Sequence, residues 1–64
     1  MEQKKTLHAR EVELQRLLAT ETGKKELESL AAVYETASGK HRPEGRSIIT
    51  YIIVHERERG LIEG

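Results

Sequence analysis

Eight residues, Ser47-Ile48-Ile49-Thr50-Tyr51-Ile52-Ile53-Val54, set the terms on which this 64-residue chain can fold. They hold four of the five isoleucines, one of the three valines and one of the two tyrosines. No other segment is as apolar, and with no Phe, Trp or Cys a core cannot be built elsewhere. A chain this short buries only about 60% of the surface its unfolded form exposes, so its stability is marginal. Small domains usually rely on a disulfide, a metal or a partner subunit. The lack of Cys removes both the disulfide and the thiolate metal site, which leaves oligomerisation as the expected aid.

The preceding chain reads as two amphipathic helices. Residues 1–6 are polar and are expected to be a disordered tail. From Leu7, the residues Leu14, Leu17 and Leu18 continue one stripe at helical spacing, with Arg10 and Glu11 beside it and Val12 off it. Thr6 suits the N-cap. The pattern stops near Ala19, and Thr20 can cap a second helix whose first turn carries Glu21, where the dipole favours a carboxylate. Leu27, Leu30, Ala31, Tyr34 and Ala37 make its apolar face, with Val33 at the edge, and Ser38-Gly39 ends it. A short break between two such helices predicts an αα-hairpin. Lys40–Arg46 contains the only Pro, and its Pro-x-Gly sequence predicts a turn.

Two readings compete for the apolar run. Six of its eight residues are β-branched, which suits a strand. A lone strand leaves its backbone groups unpaired, so residues 47–56 would have to pair with a second subunit in an α+β dimer. As a helix, Ser47 is the N-cap and Ile48, Ile49, Ile52 and Ile53 form a broad arc. The run Glu56-Arg57-Glu58-Arg59 then continues the helix, and Gly60 followed by Leu61 stops it. Start signal, stop signal and length agree on the helix. The fold class expected is therefore all-α: an αα-hairpin plus a third C-terminal helix, in one small domain over 7–64. Tyr51 and Val54 would stay partly exposed on a monomer. The expected homodimer interface is Ile48, Ile49, Tyr51, Ile52, Ile53 and Val54.

Functional signals are sparse. Lys+Arg and Asp+Glu are each 11, so no overall field draws the chain to DNA or an anionic membrane. No apolar run approaches the roughly 20 residues that span a bilayer, and no secretory signal follows Met1, so a cytoplasmic protein is expected. His8, His41 and His55 sit in separate segments, and no metal or other cofactor is expected. No nucleophile motif or phosphate-binding Gly-rich loop is present, and no enzyme activity is expected. Glu56 reads as a solvated helix-end residue within reach of Arg59. The best functional candidate is the loop cluster Lys40, His41, Arg42 and Arg46, whose cations suit a phosphate or an acidic surface.

Tyr51–Gly60 resembles the closing helix of ribbon–helix–helix repressors, which often ends in a similar charged run. The resemblance covers about a sixth of the chain. It implies an N-terminal strand that reads DNA, for which Lys4–Arg10 is a poor match, and the segment between the helices is longer here, so no family is assigned. The expected function is a small non-catalytic protein-interaction or assembly module that self-associates. The alternative is a small nucleic-acid-binding regulator using loop 40–46.

Overall fold

The computed structural model describes residues 4–63. Strand β1 (Lys5–Thr6) leads directly into helix α1 (Leu7–Leu18). Helices α2 (Glu21–Ser38) and α3 (Ile48–Glu58) follow, and strand β2 (Ile62–Glu63) closes the sequence of elements. The domain is thus mainly helical, as the patterning predicted, and the apolar run is a helix rather than a strand. The expected tail is corrected in part. Residues 1–3 lie outside the described residues, but Lys5 and Thr6 pair in parallel with Ile62 and Glu63. Four residues form this small sheet, which joins the entry to α1 with the exit from α3.

Each helix begins on the residue whose side chain can satisfy its first amides. Thr6 accepts from the Ala9 N–H, Thr20 from the Gly23 N–H and Ser47 from the Thr50 N–H. The Gly39 N–H donates to the Glu35 carbonyl to end α2. At the end of α3 the Gly60 N–H donates to Arg57 O and the Leu61 N–H to Glu56 O. These are the paired 5→2 and 6→1 bonds of a Schellman stop, and they turn the chain into β2. In the crossover loop the Arg46 N–H reaches Pro43 O at 3.2 Å, and Gly45 has φ 81°. This is the left-handed third residue of a type II turn, a position that favours Gly.

Leu14, Leu27 and Ile52, one from each helix, are completely shielded from solvent and mark the centre of the core. Ala31, Ile49, Tyr51, Ile53 and Ile62 pack around them. The expectation that Tyr51 would be partly exposed is corrected: it is buried, whereas Val54 is half-buried. The reason is geometric. The third helix lies against both α1 and α2, and the crossover loop runs over its remaining side, so an arc wider than a two-helix groove is covered. The six residues expected to form a dimer interface are therefore mostly enclosed within one chain. Only Ile48 and Val54 among them remain half-buried.

The α1–α2 corner depends on Gly23. A Cβ there would lie 1.9 Å from the Leu17 carbonyl oxygen, a backbone atom that no rotamer change can move. A glycine ordinarily weakens a helix, but here the missing side chain permits the two helices to touch. Gly23→Ala is expected to destabilise the fold by about 3 kcal/mol, at the upper end for overpacking, despite the better helix propensity of Ala. Urea denaturation followed by circular dichroism checks this. A neutral or stabilising effect would show that the corner can open freely.

Candidate functional site

Two polar constellations stand out, one inside the bundle and one at its surface. The inner one again takes one residue from each helix. Arg10 lies one turn before Leu14 on α1, Glu56 one turn after Ile52 on α3, and Tyr34 two turns after Leu27 on α2. A polar layer thus sits next to the apolar centre. The Arg10 Nε–H and Nη2–H donate to the two carboxylate oxygens of Glu56, each at 2.8 Å. The Tyr34 hydroxyl donates to Glu56 Oε2 at 2.6 Å. Planar guanidinium meeting planar carboxylate in this forked way is the strongest ion-pair geometry available to side chains. Arg10 also reaches Glu13, which in turn pairs with Lys5 of β1. The His55 ring stacks on Tyr34 with centroids 4.0 Å apart and planes 13° from parallel.

The electrostatics follow from this geometry. Burial pushes the Glu56 carboxyl up, but the hydrogen bonds from Arg10 and Tyr34 outweigh it and hold the group below its ordinary value. Arg10 is raised by its hydrogen bonds to Glu56 despite partial burial. Burial, and then the hydrogen bond to Glu56, push the Tyr34 hydroxyl up to about 12. A carboxylate held ionised by three donors and a phenol held protonated are suited to fastening helices together rather than to exchanging protons at neutral pH.

Glu56 corrects the sequence reading. Glu56 was expected on a solvated helix end beside Arg59; it is 4% exposed and pairs with Arg10 across the bundle. The signal was available, because Glu56 continues the Ile49–Ile52 spacing and so falls on the buried face. A carboxylate there requires a cation from another helix. Its neighbour His55 is also buried, 8% exposed beneath the crossover loop.

The outer constellation lies where that loop crosses α3. Lys40, His41 and Arg46 border a hollow of about 190 Å³ whose inner wall includes Tyr51 and His55, with Glu58 at the rim. Arg42 is not part of it and instead borders a second hollow with Lys24 and Ile48. The structure thus brings three of the four predicted loop cations together and sends the fourth elsewhere. The His41 ring Nδ1 lies 3.2 Å from Glu35 Oε2. Among the described residues, no group of three or more His, Cys, Asp or Glu side chains could hold a metal ion. Among the same residues, no helix is long and apolar enough to cross a membrane.

Comparison with known proteins adds no relative: no family model, no curated protein and no solved structure matches the chain. The segment likened to a DNA-reading strand, Lys4–Arg10, is mostly the first turn of α1.

The buried layer makes stability sensitive to acid. The lowered Glu56 group contributes stability that is present above its unfolded value, about 4.3, and is lost as pH falls through the folded value. Glu56→Gln is expected to flatten this acid limb, as measured by urea midpoints between pH 7 and pH 3. Removing the carboxylate altogether, in Glu56→Ala, leaves Arg10 only its longer contact with Glu13 and is expected to cost about 3 kcal/mol. Tyr34→Phe loses one charge-assisted bond and is expected to cost about 1.5 kcal/mol. An unchanged acid limb in Glu56→Gln would show that another carboxylate controls it.

Proposed function

We propose that the protein is a small non-catalytic protein-interaction module that associates with a second copy of itself. The surface is narrower than the isoleucine face expected from the sequence. It is the groove between α1 and α3, a hollow of about 450 Å³ with Leu7 and Leu18 on one wall and Ile49, Ile53 and Val54 on the other. Glu11 on α1 and Arg57 on α3 border the same groove, both exposed. Neither makes an ion pair among the described residues.

The observation that carries the proposal is this arrangement of an apolar floor between an unpaired acid and an unpaired base. A twofold axis sets residue i against j and j against i, so in the proposed dimer a contact between Glu11 of one copy and Arg57 of the other is made twice. Such rim charges contribute more to the choice of partner and to orientation than to affinity. The surface is small, so association in the high micromolar range is expected. The alternative, a nucleic-acid regulator, needs Lys40, His41, Arg42 and Arg46 to follow one backbone path, and the division of Arg42 from the others weakens it.

Sedimentation equilibrium with charge-reversal variants tests the proposal. Glu11→Arg alone and Arg57→Glu alone are each expected to weaken self-association by about tenfold. Mixing the two variants is expected to restore it, because each then meets its complement. A monomer throughout the concentration range, or a mixture no tighter than the single variants, would overturn the proposal.

A further inference from the structure

The hollow between the crossover loop and α3 contains a feature that packing alone does not account for. Tyr51 and His55 are each only 8% exposed, yet neither the Tyr51 hydroxyl nor a His55 ring nitrogen hydrogen-bonds to any described residue. Their polar atoms are not sealed in, because among the described residues no fully buried side-chain nitrogen or oxygen lacks a partner. These two unpaired polar groups are therefore not fully enclosed, and the residues that carry them line the hollow together with Lys40 and Arg46. Lys40 and Arg46 make no ion pair among the described residues. Four donor-bearing residues from the loop and α3 border one small space, and two of them, Tyr51 and His55, are helical and buried.

We propose that this hollow binds a compact oxyanion, the phosphate of a small phosphomonoester. The Arg46 guanidinium and Lys40 ammonium supply charge, and the Tyr51 hydroxyl and His55 ring N–H supply directed donors at the base. The volume, about 190 Å³, is below the range of pockets that enclose drug-sized ligands and suits a single charged group with a short substituent. Glu58 at the rim places an acceptor beside the cations. It favours a ligand that carries a hydroxyl next to its phosphate and opposes a continuous phosphate backbone. The direction of Arg42 toward a different hollow has the same effect, since a polyanion would need both arginines on one path. The site does not depend on self-association, because the α1–α3 groove contains neither the loop cations nor Tyr51 and His55.

The experiment is an amide and imidazole NMR titration of the full chain with inorganic phosphate and with glycerol phosphate, against sodium chloride at matched ionic strength. Saturable shifts are expected at residues 40, 41, 46, 51 and 55 with either phosphate, tighter with glycerol phosphate, and absent with chloride. Arg46→Ala is expected to weaken binding at least about tenfold, the ordinary consequence of losing a charge-assisted contact. Tyr51→Phe keeps the ring in the core and is expected to weaken binding about threefold while the spectrum elsewhere stays unchanged. Arg42→Ala is expected to leave binding as it was. Shifts as large with chloride as with phosphate would overturn the proposal. So would binding of a short single-stranded oligonucleotide that depends on Arg42 as much as on Arg46.

Discussion

The forked ion pair between Arg10 and Glu56, closed by the Tyr34 hydroxyl, is the interaction on which the arrangement of the three helices depends. A core made of Leu, Ile and Ala is tolerant: apolar surfaces slide and repack with modest penalties. A buried carboxylate is not tolerant, because every arrangement that leaves it unpaired is costly. With one partner on α1 and another on α2, Glu56 fixes the rotation and height of α3 relative to both. The apolar layer supplies the driving force, and the polar layer beside it selects one packing among several.

Much of this fold was legible in the sequence because its punctuation is chemical. Thr6, Thr20 and Ser47 cap helices as their types predict, and Gly39, Gly45 and Gly60 mark two helix stops and a turn. Ile48–Val54 is ambiguous by period alone, since a broad apolar arc and an all-apolar strand look alike over eight residues. Its flanks resolve it, with Ser47 before and the charged run and glycine after. What could not be read was how far a wide arc would be covered. That depends on the crossover loop lying over α3, a long-range arrangement with no local signature. The pairing of Arg10 with Glu56 was hidden for a related reason: both residues also fit ordinary surface roles, and 46 positions separate them.

The loop cations show the same division between local and distant information. Their proximity in sequence suggested one patch, but the type II turn at Pro43–Arg46 separates the side chains of Arg42 and Arg46 into different hollows. What the sequence could not supply was the inner wall of the cleft. Tyr51 and His55 are four residues apart on α3 and so present their polar tips along one helical face, which became visible only once the loop's path was known.

The two-residue ladder between β1 and β2 has a kinetic meaning. Its partners, Lys5 and Ile62, are nearly as far apart along the chain as any two described residues, so the contact gains nothing from local helix formation. The entropy of closing so long a segment must be met by helices that have already docked, which places this pairing late in assembly. It is correspondingly the first place to fray. Its amides should exchange with solvent deuterium while those around Leu14, Leu27 and Ile52 remain protected.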